Sequence, residues 1–132
     1  MLQEIAHRDK YDVEVDLAKN RLYFYPKGAW DRVSEVPHYI NDLKECAKKL
    51  RPGFTSLSDA THFAAPTQEI ANLILEGTVL MREKGQKRSA IIVNTSIIKM
   101  YLDKYKEEMN QDKMETRYFD NEAEAEKWLD GH

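Results

Sequence analysis

Tyr11-Asp12-Val13-Glu14-Val15-Asp16-Leu17, followed after a polar gap by Leu22-Tyr23-Phe24-Tyr25, decides how this chain is read. Apolar and acidic residues alternate strictly through the first stretch, the period-2 signature of a half-buried strand. The second stretch has strand composition and is close enough to return as a hairpin. A two-residue turn at Lys19-Asn20 would set Leu17 opposite Leu22 and Val15 opposite Phe24. Asp16 would then face Tyr23, and Glu14 would face Tyr25. This register gives one apolar face and one acidic, aromatic face, and a one-residue slip would mix them. Asn20 tolerates the positive φ that tight hairpin turns require.

From the hairpin onward, helix and strand patterns alternate. Val36, Tyr39, Ile40, Leu43, Ala47 and Leu50 form a helical stripe, with a start expected near Ser34 and Pro37 in the first turn. Asp31 and Ser34 are its candidate caps, and Arg51-Pro52-Gly53 stops it. A third strand is expected from Phe54 to about Phe63. A second helix then starts near Pro66-Thr67, carries Ile70, Leu73, Ile74, Leu80 and Met81, and ends at Gly85. Gly77 interrupts that pattern, as it would where another backbone comes close. Ala90-Ile91-Ile92-Val93 reads as a strand buried on both faces. A third helix is expected from Thr95 or Ser96 through Met109, and a fifth strand over Met114–Phe119. Asn121 with Glu124 has capping-box spacing for a last helix docked by Ala125, Trp128 and Leu129.

These patterns predict an α/β fold: a mixed five-stranded sheet, antiparallel at the N-terminal hairpin and then built from β-α units, packed with four helices. Residues 1–10 lack periodicity and are expected to be a loose leader; residues 11–132 form a single domain. The length suffices for a real hydrophobic core.

Composition narrows the chemistry. The net charge is −3, and no Lys/Arg block is dense enough for a polyanion footprint, so nucleic acid is not an expected partner. Cys46 is the only cysteine, which precludes an intrachain disulfide and suits a reducing compartment. No signal-peptide pattern opens the chain, and no apolar stretch approaches the ~20 residues of a spanning helix. The cytoplasm is the expected location, with reversible membrane contact left open.

His7, His38, His62 and His132 show no i, i+4 metal spacing, and no metal is expected. Ser58, Asp59 and His62 suggest a triad on paper, but strand alternation turns Asp59 away from the other two, and no nucleophile elbow is present. The five glycines are scattered singly, so there is neither a P-loop nor a dinucleotide fingerprint and no cofactor is expected. The carboxylates Glu107-Glu108 and Glu122/Glu124/Glu126 read as solvated helix faces. The chain is not expected to be an enzyme.

Three local stretches are informative together: Lys27-Gly28-Ala29-Trp30 after the hairpin, Ser58-Asp59-Ala60-Thr61-His62-Phe63 before helix two, and Arg117-Tyr118-Phe119-Asp120 before the last helix. In that element order the chain, from about Tyr11 to Leu129, resembles the STAS fold of bacterial anti-sigma-factor antagonists, most of all its SpoIIAA-like branch. The resemblance implies a regulatory domain that binds a protein partner. In regulatory members, Asp-Ser-Ser-Gly precedes the second helix, and its second Ser accepts phosphate. Here that stretch reads Ala65-Pro66-Thr67-Gln68. Thr67 occupies the acceptor position, while Ala65, Pro66 and Gln68 depart from the motif. A helix cap is the favoured reading of Thr67.

The expected interaction surface is therefore His62, Phe63, Pro66, Thr67 and Gln68, at the start of helix two. The resemblance also implies an alternative, a binding module for a small apolar or lipid-like ligand with transient membrane association. Its pocket would lie between sheet and helices and be lined by Phe24, Phe63, Leu73 and Met100. The partner's identity and the oligomeric state are left open, since the acidic, aromatic hairpin face suits either solvent or a dimer.

Overall fold

A computed structural model describes residues 2–93 and 114–131. Six strands follow one another across a single mixed sheet: β1 (Leu2–His7), β2 (Tyr11–Asp16), β3 (Arg21–Pro26), β4 (Thr55–Asp59), β5 (Arg88–Ile92) and β6 (Glu115–Phe119). β1–β2 and β2–β3 are antiparallel, and the later pairs are parallel. Three α-helices are present among the described residues: α1 (Tyr39–Lys49), α2 (Gln68–Glu83) and α3 (Glu122–Leu129).

The strand count corrects the sequence expectation. Leu2–His7 is not a loose leader; it pairs along β2, with a register shift between Glu4 and Ala6. That irregularity breaks the alternation, which is why no period is visible in the sequence. The third expected helix, Thr95 to Met109, lies outside the described residues, as does Met100.

The hairpin keeps its expected faces but not its expected register. Val15 pairs with Leu22 and Val13 with Phe24, while Glu14 faces Tyr23 and Asp12 faces Tyr25. The chain has slid by two residues, which leaves every side chain on the same face. The turn takes four residues instead of two, and Leu17 is left exposed at its corner. Asn20 does adopt a positive φ, 56°. Its side chain reaches across to the end of α1, accepting from Arg51 N at 2.8 Å and donating to Arg51 O at 3.1 Å.

Each crossover from β3 onward moves one strand in the same direction, so right-handed connections set α1 and α2 on one face. The main core there gathers Tyr11, Val13, Val15, Leu22, Phe24 and Ile91 of the sheet with Tyr39, Leu43, Cys46, Ile70 and Met81 of the helices. The chain leaves β6 and returns beneath the sheet as α3, where Ala125 and Leu129 bury against Tyr23, Leu57, Ala90 and Ile92. Asn121 caps α3 by accepting from Glu124 N at 2.9 Å.

Helix α1 begins later than expected. Val33–Glu35 form a 3-10 turn, and Pro37 precedes the first α-helical residue, Tyr39. Gly77 is a point of close approach, but to side chains of α1 rather than to backbone. A Cβ there would lie 2.8 Å from Leu43 Cδ1 and 2.9 Å from Tyr39 Cε2.

Candidate functional site

Two regions of the sheet's α1/α2 side meet at the loop joining β4 to α2. Trp30, Phe24, Tyr11 and Tyr39 pack as an aromatic cluster, and Phe63 closes on Trp30 with ring centroids 5.0 Å apart. Gly28 clamps the loop from the β3 side. Its N–H donates to His62 O at 2.8 Å, and its carbonyl accepts from Ala64 N at 2.9 Å. Gly28 has φ +68°, a conformation open to it for lack of a Cβ.

The loop then enters α2 through Thr67. The Thr67 hydroxyl oxygen accepts from Ile70 N at 3.3 Å, which makes Thr67 the N-cap, and the hydroxyl donates to Asp31 O at 2.9 Å. Glu69 Oε2 accepts from Val33 N at 2.7 Å, fastening α2 to the 3-10 turn. His62, Thr67 and Gln68 are exposed along this edge, whereas Phe63 and Pro66 are buried and anchor it from below.

Beneath the loop lies a cavity of about 120 Å³ between α1, α2 and the sheet. Among the described residues its aromatic end is formed by Phe24, Trp30, Tyr39 and Phe63. Its other end is polar. Ser56, Ser89 and Thr116 lie opposite one another on β4, β5 and β6, all turned to this face. Gln86 Nε2 donates to Ser56 Oγ at 2.6 Å and to Arg88 O at 3.1 Å, and Ser56 Oγ donates to Ser89 Oγ at 3.3 Å. No charged side chain is among the described lining residues.

Of the residues expected to line a pocket, Phe24 and Phe63 do so. Leu73 packs against the main core but is not among the described lining residues, and Met100 lies outside the described residues. The hydroxyl row was not anticipated. Its signal was present: Ser56, Ser58 and Ser89 stand at alternating strand positions where a helix-covered face calls for apolar side chains.

Ser58, Asp59 and His62 do not converge on a triad. Ser58 faces the cavity, His62 is exposed, and Asp59 Oδ1 accepts from Thr61 N at 3.0 Å and also from the Thr61 hydroxyl. Burial pushes the Cys46 thiol up to about 12, away from the range of a reactive thiolate. Among the described residues there is no group of three or more His, Cys, Asp or Glu placed to hold a metal ion. Also among them, no helix is long and apolar enough to cross a membrane.

A second polar cluster joins the first strands to α1. Asp42 accepts a bidentate pair from Arg8, at 2.7 and 3.0 Å, and a third bond from Tyr11 OH at 2.5 Å. Burial would raise the Asp42 carboxyl, but these bonds outweigh it and hold the group below its ordinary range. A matching network fixes α3: Glu126 faces Lys19, Tyr23 and Arg21, and Asp130 faces Arg21.

No protein-family model matches the chain, and no curated protein matches it significantly. A solved structure does: the crystal structure of an uncharacterized protein from the DUF3478 family with a SpoIIAA-like fold, from Shewanella loihica PV-4. The two share 18% identity over 98% of this chain and 92% of that one, with a TM-score of 0.60. The fold is therefore SpoIIAA-like, as the element order of the sequence led one to expect.

Proposed function

We propose that this chain is a non-enzymatic regulatory domain that docks a protein partner on the edge formed by His62, Thr67 and Gln68 and the start of α2. One observation carries this reading. The β4–α2 loop is clamped by Gly28 and anchored by buried Phe63 and Pro66, so its exposed side chains are displayed in one fixed arrangement. A preordered surface pays less conformational entropy on association. The SpoIIAA-like fold is consistent with a regulatory role, an argument by fold analogy.

The test is a photo-crosslinking residue placed at Gln68 in the source cells, with a second at exposed Lys44 on α1 as control. A protein captured from Gln68 alone is then purified and titrated against the chain. Weaker binding by Gln68→Arg, with an unchanged thermal midpoint, supports the reading. Equal capture from both positions removes it.

Thr67 is an N-cap in the first instance. A phosphate there would replace the hydroxyl donor to Asp31 O and bring negative charge toward Glu69 and Asp31. Phosphorylation would thus loosen the edge rather than order it.

A second reading is a binding module for a small apolar ligand. It is favoured by the cavity between sheet and helices, with its uncharged described lining.

A further inference from the structure

Two arginines share one indole on the α3 side of the sheet. Ala90 and Ile92 pack against α3, so by strand alternation Arg88 of β5 stands on that face too. Across the ladder Arg88 faces Glu115 and Ala90 faces Arg117, which puts Arg117 of β6 on the same face. Both guanidiniums lie over Trp128 of α3, with Cζ 4.9 Å from the ring centroid for Arg88 and 5.2 Å for Arg117. Phe119 extends the platform, its ring centroid 5.6 Å from that of Trp128. Trp128 and Phe119 are half-buried and Arg117 is exposed, so the group forms part of the surface.

The two cations are not equally balanced. Arg88 Nη1 donates to Trp128 O at 2.7 Å, at the negative end of the α3 dipole, and Arg88 Nε lies 3.7 Å from Glu115 Oε1. Among the described residues Arg117 makes no hydrogen bond or ion pair, only its contact with Trp128. The carboxylates of α3 and its cap are spent or turned elsewhere. Glu126 faces Lys19, Tyr23 and Arg21, Asp130 faces Arg21, and Glu122 and Glu124 in the first turn do not pair with Arg117. A guanidinium that stacks on an aromatic ring keeps the N–H fork along its edge, which suits a planar, bidentate acceptor.

We propose that Arg117, with Arg88 and the Trp128–Phe119 platform, docks an acidic segment of a protein partner, one carboxylate seated on the guanidinium fork and an apolar neighbour laid against the rings. Charge complementarity carries the choice: the chain as a whole is −3, yet this patch presents a spare cation. Its composition is that of an interface anchor, since Trp and Arg are enriched where binding energy concentrates. On an open surface a free ion stays largely hydrated and gains little, whereas a segment adds apolar contact with the rings. The net negative charge of the chain weighs against a nucleic acid. The patch lies across the sheet from the α2 edge and is independent of the docking proposed there.

The test uses the isotopically labelled full chain, whose two indole N–H signals report Trp128 at the patch and Trp30 in the core. The probes are a blocked peptide of alternating glutamate and leucine, the same peptide with glutamine in place of glutamate, inorganic phosphate, and an oligothymidylate. The glutamate peptide is expected to shift Trp128 saturably at millimolar concentration and to leave Trp30 in place. It is expected to bind about tenfold tighter than the glutamine peptide, the effect of one hydrogen-bonded charge. Arg117→Ala is expected to erase that preference, and Arg117→Lys to keep only part of it, because an ammonium lacks the fork. If either variant fails to fold, the wild-type preference between the two peptides decides alone. Equal binding of the two peptides, or an undiminished preference in Arg117→Ala, overturns the proposal. Phosphate bound as tightly as the glutamate peptide overturns it in favour of a free-anion site, and tighter binding of the oligothymidylate in favour of a nucleic-acid surface. No saturable shift of Trp128 with the glutamate peptide overturns it as well.

Discussion

The Tyr11 hydroxyl lies 2.5 Å from Asp42 Oδ2, a contact that ties β2 to α1 inside the main core. Arg8, on the turn that leads out of β1, binds the same carboxylate through both Nε and Nη2. One side chain of α1 thus holds two successive strands. Asp42→Asn removes the charge that balances Arg8 and is expected to cost about 2–3 kcal/mol, below the usual figure for a buried pair because Arg8 is partly solvated. Tyr11→Phe is expected to cost about 1 kcal/mol, since a ring of the same size keeps its contacts with Phe24 and Trp30. Urea unfolding of both variants checks the order.

The same carboxylate makes stability depend on acid. Burial acts to raise Asp42 and Glu126, yet Arg8 and Tyr11 for one, and Lys19, Tyr23 and Arg21 for the other, hold both below their ordinary values. Their contribution is complete above the unfolded values, ~3.9 for Asp and ~4.3 for Glu, and is lost as pH falls through the lower folded values. The urea midpoint is expected to be flat from pH 7 to 5 and to drop below pH 4. In the double variant Asp42→Asn, Glu126→Gln the drop should be shallower from a lower start. An acid limb as steep as the wild type's would assign it to other carboxylates.

Gly77 offers a sharper test of packing. Alanine is ordinarily better than glycine inside a helix by about 1 kcal/mol. Here the added methyl would lie 2.8 Å from Leu43 Cδ1, 2.9 Å from Tyr39 Cε2 and 3.0 Å from Tyr39 Oη. Overpacking of this kind costs about 1–3 kcal/mol, so the net effect of Gly77→Ala is expected to be destabilising. A rise in thermal midpoint would mean that α1 and α2 part readily.

The glycine was visible in the sequence as an interruption of a helical stripe, but its neighbour was not. Periodicity reports that a position is unusual, whereas what fills the space depends on the crossing of two helices. The same distinction runs through the fold. Strand and helix order was legible because alternation at Tyr11–Leu17 and the stripe from Tyr39 to Leu50 are local signals. The hairpin register slid by two because face sorting is blind to a shift of two. Leu2–His7 was missed because a bulged edge strand carries little period. Nothing in the helical stripe singles out Asp42, although it shares the buried side of α1 with Tyr39 and Cys46. Its partners are 31 and 34 residues away.

Thr67 separates capping from signalling. Asp caps as well as Thr but, when ionised, cannot donate to Asp31 O, whereas Ala loses both the cap and that bond, so Thr67→Ala is expected to cost about 1 kcal/mol and Thr67→Asp less. If the α2 edge docks a partner, Thr67→Asp should weaken binding through its charge by more than its loss of stability accounts for. Calorimetric titration of both variants against a purified partner reads this directly. Weakening by Thr67→Ala alone would instead tie binding to the integrity of the cap.

Removal of residues 1–8 tests whether the N-terminal segment belongs to the domain. It deletes β1, which pairs with β2 from Leu2 to His7, and it deletes Arg8, the counter-ion of buried Asp42. Two costs follow from different physics. Asp42 loses its charge partner but keeps Tyr11, so its carboxyl should titrate higher than in the full chain. β2 becomes an edge strand, and its unpaired N–H and C=O groups are free to pair with another copy. The truncated chain is therefore expected to unfold at lower urea and to associate as concentration rises. Adding Arg8→Ala to the full chain separates the two: it should reproduce part of the lost stability without the association. Sedimentation at two concentrations reads the second effect. A truncated chain as stable as the parent and no more associated would return residues 2–8 to the status of a dispensable leader.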